Sequence, residues 1–236
     1  MQSYGGGVCQ VSTTLYNAVL RAELEVTQRS NHSMIVTYVK PSMDAAIAGD
    51  YKDLKFVNNL DAPIYIEGYT VGKDIYFNIY GQETRPSNRK VTYESEVVSE
   101  EDPGTQFVAT GDAVGSISTT QGKHMGYVAR LWKIVTVDGV EQSRDAINKS
   151  TYKSSPKIVN VGTASADPNA TAAVNAALAT GDEATIYATV AQYSGAGQTP
   201  AETPAETPAD GSAEAAAILG TVDESQITEN TTTEGQ

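Results

Sequence analysis

The sequence predicts an α+β fold, with one N-terminal helix packed on an antiparallel sheet, then a small all-β module and a disordered acidic tail. Three observations carry this expectation. Apolar residues recur at helical spacing near the N-terminus, strand-like alternation punctuated by turn residues runs from there to about residue 162, and the remaining residues change composition altogether.

The first segment, 1–83, opens on Gly5-Gly6-Gly7 and Val8-Cys9-Gln10, after which Val11, Leu15, Ala18, Val19 and Ala22 recur at three- and four-residue intervals. That spacing predicts an amphipathic helix over about 12–25, with Ser12, Thr13 and Thr14 offering capping hydroxyls near its start. Strands are predicted at 34–40, which alternates, and at the short run 54–57. Residues 63–80 read as a hairpin turning on Val71-Gly72-Lys73-Asp74. Four tyrosines, Tyr65, Tyr69, Tyr76 and Tyr80, fall on that hairpin in a chain with 13 Tyr against 3 Phe. Such a face can stack on sugars if wet, or simply occupy half-exposed sheet positions, which tyrosine tolerates.

Residues 82–88 hold polar side chains and Pro86 and make a linker. The second segment, 84–163, is strand-like throughout. Val91, Tyr93, Val97 and Val98 come first, the longest run is 127–137, Asp138-Gly139 supplies a hairpin turn into 140–143, and 157–161 closes the module.

The third segment, 164–236, is rich in Ala and carries a repeated Thr-Pro-Ala-Glu between Thr199 and Pro208. An Ala-rich stretch at 169–180 has helical composition but little bulk to bury. Low apolar bulk and like charges do not offset chain entropy, so the segment is expected to be disordered, an extended spacer. Charge is distributed to match. The first 162 residues hold 16 basic against 18 acidic side chains, and the last 74 hold none against 11, within a net charge of −13. A near-neutral body with an acidic end lacks the basic face that nucleic acid requires. No window approaches the roughly 18 consecutive apolar residues of a membrane span.

One cysteine excludes an internal disulfide and a multi-thiolate metal site, and two histidines argue against a histidine-rich metal centre. Cys9 is therefore the first candidate for chemistry. A glycine-rich turn delivers its thiol to the start of a helix, where the dipole and backbone N–H groups favour a thiolate and a developing oxyanion. The competing reading is a small buried hydrophobe. His32, in Asn31-His32-Ser33, is placed to act as a general base, and Asp44, beyond the first predicted strand, to hold the imidazole tautomer. Their bland alternatives are a loop histidine and a turn former. His124, in the β module, reads as a surface residue.

The run Gly5-Gly6-Gly7-Val8-Cys9-Gln10-Val11-Ser12-Thr13-Thr14-Leu15-Tyr16-Asn17-Ala18 closely resembles the signature of VanW-like proteins. The similarity continues through His32-Ser33, Tyr38-Val39, Asp44-Ala45, Asp53-Leu54-Lys55-Phe56 and Pro63-Ile64-Tyr65-Ile66 to near Gly81. The resemblance implies a protein of the bacterial envelope and, as reported for some members, a cysteine-dependent L,D-transpeptidase acting on peptidoglycan stem peptides. By position, Cys9, His32 and Asp44 match the family's cysteine, histidine and aspartate, and no cofactor or metal is implied. Residues 89–163 are similar to a degenerate five-glycine (G5) domain, matching at Gly122, Gly126, Gly139 and Val161-Gly162-Thr163. Such domains are proposed to bind amino-sugar polymers.

Two departures accompany the resemblance. Family members have further sequence ahead of the triple glycine, so the expectation is an N-terminally truncated domain whose signal or anchor lies outside this chain. Ala45-Ala46 also follows Asp44 where Ala-Thr is more usual. Two functions follow as expectations: acyl transfer with Cys9 as nucleophile, or non-catalytic binding of wall glycan linked to glycopeptide resistance or envelope maintenance.

Overall fold

A computed structural model describes residues 6–194. Helix α1 (Val8–Arg21) starts from Gly7, whose φ of 95° is a left-handed conformation that glycine adopts without strain. The helix therefore begins four residues earlier than its apolar spacing suggests, and Cys9 lies in its first turn. Tyr16, Val19 and Leu20 form its buried stripe.

After α1 come β1 (Glu25–Gln28) and β2 (Lys55–Val57), which pair antiparallel. Next is the antiparallel hairpin of β3 (Tyr65–Val71) and β4 (Asp74–Tyr80), which was legible in the sequence, and β4 packs against α1. The strand expected at 34–40 is absent, because alternation reports an apolar face while a strand also needs a hydrogen-bonding neighbour. That stretch is irregular and leads into an extended strap at 43–47 held by α1, described below.

The β module contains two three-stranded sheets. In the first, β8 (Gly126–Val137) lies between β5 (Arg89–Glu101) and β9 (Val140–Tyr152), all antiparallel. The hairpin β8–β9 turns on Asp138 and Gly139, both with positive φ, a geometry whose twist matches the strands. In the second, β10 (Lys157–Ala164) pairs parallel with β6 (Thr105–Ala113) and antiparallel with β7 (Ile117–Gln121). Gly162 sits where β10 meets β6 so closely that a Cβ would lie 2.1 Å from the Ala113 carbonyl oxygen.

Over residues 168–193 the expected disorder is corrected by two helices, α2 (Pro168–Thr180) and α3 (Glu183–Tyr193). Each starts on an aspartate cap: Asp167 accepts from Asn169 N at 2.9 Å and Asp182 from Thr185 N at 2.7 Å. Val174, Ala177, Ile186 and Val190 close over Val159 and Val161 of β10, and Tyr187 meets Phe107 edge-on. Small residues let the helices approach the sheet, so a few apolar side chains suffice to cover it. The repeat at 199–208 and the rest of the acidic segment lie outside the described residues. Among the described residues no helix is long and apolar enough to cross a membrane.

The core of the first unit is shared with the second. Tyr16, Leu20, Met43 and Ala45 pack with Leu131 of β8, and Tyr93 of β5 borders the cluster. Glu23, just past α1, meets Arg85, Arg89 and Lys133 in an ionic cluster at the same junction.

Candidate functional site

The site is organised by the strap at 43–47. Residues four apart on a helix lie on one stripe with a rise of about 6 Å, and residues two apart in extended chain rise about 6.6 Å. The near match lets three α1 side chains bond alternate strap residues. Asn17 Nδ2 donates to Met43 O at 2.9 Å, Thr13 Oγ1 accepts from Ala45 N at 3.0 Å, and Cys9 Sγ accepts from Ile47 N at 3.5 Å. The Cys9 thiol also donates to Ile47 O at 3.5 Å. On the strap's other edge, Arg29 Nε donates to Asp44 O at 2.6 Å and Ala46 N to Ser30 O at 2.8 Å.

Asp44 is buried and its carboxylate collects four donors. Oδ1 accepts from Arg29 Nη2 at 2.8 Å and from the Tyr152 hydroxyl at 2.5 Å, and Oδ2 accepts from the backbone N of His32 at 2.7 Å. Nδ1 of His32 lies 2.7 Å from the same Oδ2. Burial pushes the carboxyl upward, but the bonds from His32 and Tyr152 and the Arg29 charge outweigh it and hold Asp44 below the usual carboxylate range. An ionised carboxylate only accepts, so Nδ1 carries the proton and Nε2 is left as the basic nitrogen, 3.3 Å from the Tyr38 hydroxyl.

Of the three residues singled out in sequence, the structure joins His32 to Asp44. Cys9, in the first turn of α1, reaches the same strap at Ile47, three residues beyond Asp44, and its sulfur bonds Ile47 rather than the imidazole. His124 is exposed and bridges Ser155 through its backbone. The residues missed are Arg29, Tyr38 and Tyr152. A faint signal marks the last: Asn148, Ser150 and Tyr152 alternate on one face of β9, where a half-buried strand would ordinarily present apolar side chains.

A second surface lies on the hairpin. Tyr65 pairs with Tyr80 and Tyr69 with Tyr76 across the strands, and both pairs stack, at centroid distances of 6.1 and 5.3 Å. Between them Asn78 Nδ2 and the Tyr80 hydroxyl both donate to Glu67. All four tyrosines are exposed.

Two family models match successive parts of the chain. The family model described as VanW like protein matches residues 1–80, and the model of the G5 domain matches residues 83–164. The uncharacterized protein YoaR of Bacillus subtilis (strain 168) is 39% identical over 82 residues, 35% of this chain and 27% of that protein. The chain thus spans about a quarter of that relative's length. Among solved structures, the IgA1 protease G5 domain is similar at 26% identity with a TM-score of 0.24, covering 33% of this chain and 94% of that one. HP0197-G5 is similar at 20% identity with a TM-score of 0.17, covering 31% and 99%. A VanW-like domain followed by a G5 domain points to a cell-wall-associated protein.

Proposed function

We propose that this VanW-like and G5 chain is an extracytoplasmic wall protein that performs cysteine-dependent acyl transfer on peptidoglycan stem peptides, an L,D-transpeptidase. The observation that carries the reading is the His32–Asp44 pair. A buried ionised carboxylate fixes the Nδ1–H tautomer and leaves Nε2, beside the Tyr38 hydroxyl, as the nitrogen that can accept a proton, the arrangement a general base needs.

In this reading the Cys9 thiol leaves its bonds to Ile47 and gives its proton to His32 Nε2. The thiolate attacks the peptide carbonyl preceding a terminal D-alanine. The carbonyl oxygen takes the developing charge against N–H groups of the first turn of α1. The C–N bond then breaks, His32 returns the proton to the departing amine, and a thioester on Cys9 remains. A side-chain amine of a second stem attacks the thioester, loses a proton through His32, and restores the thiol as the cross-link forms. Water in place of the amine makes the same site a carboxypeptidase.

One observation favours a second reading. Cys9 occupies the third rung of the ladder that Thr13 and Asn17 also build, a place where a thiol serves structure alone. The protein would then be a non-catalytic binder of wall glycan, with the exposed tyrosine pairs and the G5 domain as its surfaces.

Cys9→Ser separates the two, because a hydroxyl can keep the rung while the strong nucleophile is lost. The expected result is cross-linking of purified muropeptides reduced at least 100-fold, with unfolding and sedimentation with wall sacculi unchanged. A variant that cross-links at the wild-type rate would end the catalytic reading.

A further inference from the structure

We infer that the candidate site is built by both domains, and that Tyr152 of the G5 domain is the positioning residue for the His32–Asp44 pair. This inference rests on the site assigned above, but its test reads the pair itself and not the reaction. Three side chains at alternate positions of β9 reach across the domain boundary; all of them bond Ser42, and each bonds one further residue of the VanW-like unit. Asn148 Nδ2 donates to the Tyr16 hydroxyl at 2.6 Å and to Ser42 O at 2.9 Å. Ser150 Oγ accepts from Arg29 Nη1 at 2.9 Å and lies 2.7 Å from Ser42 Oγ. Tyr152 donates to Asp44 Oδ1 at 2.5 Å and accepts from Ser42 N at 2.7 Å.

The row is buried where it matters. Tyr152, Ser150, Ser42 and Asp44 are each 2% exposed or less, so water does not substitute for these partners. Ser42 has a positive φ of 68°, a conformation a non-glycine residue holds only when its neighbours fix it, and all three β9 side chains bond it. The bend at Ser42 aims the Asp44 carboxylate, and Asp44 in turn aims the imidazole. The G5 unit is on this reading the other half of the site wall, not a separable wall-binding appendage. A ligand that strained β9 would reach His32 through two hydrogen bonds.

The test is the proton on His32 Nδ1, followed by NMR in the full chain. Removing the hydroxyl in Tyr152→Phe leaves Asp44 one donor short and a stronger acceptor for the remaining ones. The Nδ1 proton is expected to move downfield. Replacing Tyr152 by 3-fluorotyrosine, nearly isosteric and a stronger donor, withdraws charge from Asp44 and is expected to move the same proton upfield. Asn148→Ala, which removes bonds to Tyr16 and Ser42 but none to Asp44, controls for simple loosening and is expected to lower the unfolding midpoint with a smaller change at His32. Shifts of opposite sign in the two Tyr152 variants support the inference. A His32 resonance unmoved by fluorination, or moved equally by Asn148→Ala, overturns it. Neither outcome depends on whether Cys9 is a nucleophile, so the transferase reading can fail while this one stands.

Discussion

Asn17 spends its amide protons on two carbonyls, Thr13 O at 2.8 Å within its own helix and Met43 O at 2.9 Å on the strap. Its amide oxygen is buried without a partner among the described residues. Asn17→Ala therefore has opposing effects: it strips a buried carbonyl of its donor, and it also removes an unpaired acceptor. A buried carbonyl left alone costs about 1–3 kcal/mol, and relief of the orphan returns part of that. The expected net loss is about 1–2 kcal/mol in urea unfolding. A variant as stable as the wild type would mean that Thr13 and Cys9 hold the strap without it. The same ladder explains why Cys9 alone was ambiguous in sequence. A thiol one helical turn ahead of polar rungs at 13 and 17 satisfies backbone groups whether or not it does chemistry.

At the scale of elements, legibility followed the length and self-sufficiency of each pattern. The hairpin β3–β4 and the long strand β8 were readable because their alternation and turn residues lie within one short window. The strap at 43–47 was not, because its partners are side chains of a helix thirty or so residues away. His32 and Asp44 were identified by residue type and the family resemblance, whereas Arg29 and Tyr152 required the tertiary structure that brings them to Asp44. Helices α2 and α3 were obscured by averaging. The Ala-, Pro- and Glu-rich composition of 164–236 hid two capped helices whose buried face is mostly small. Val174 tests them directly, since it is fully buried against β10. Val174→Ala is expected to cost about 2 kcal/mol from lost burial and the cavity left behind. In a disordered segment the change would stay within about 0.5 kcal/mol. Chemical denaturation distinguishes the two values, and the smaller one would undo the helical packing described here.

Across the whole molecule, the junction between the domains carries two carboxylates that are more acidic folded than unfolded. Glu23 is held at about 2, chiefly by its bonds to Arg89, with Lys133 beside it. Asp44 is held low against its own burial by His32, Tyr152 and Arg29. Groups with depressed folded values bind fewer protons in the native state than in the unfolded chain over the interval between the two values. Their contribution to stability is complete above the unfolded carboxylate range and is lost as pH falls through the folded values. Stability should thus change little, as far as these groups are concerned, from neutrality to about pH 5, then decline steadily toward pH 2. Glu83, also held at about 2 by Arg85, adds little because that pair is exposed and screened. The Glu23 share, discounted for partial solvent access, is about 1–2 kcal/mol. Glu23→Gln isolates it: the variant should start less stable at pH 7 and lose less on acidification, so that the two curves converge near pH 2. Parallel curves from pH 7 to pH 2 would show that Glu23 does not tie the domains together. Protonation of Asp44 in acid likewise weakens the Tyr152 bond, because the hydroxyl then loses its charged acceptor at the same junction.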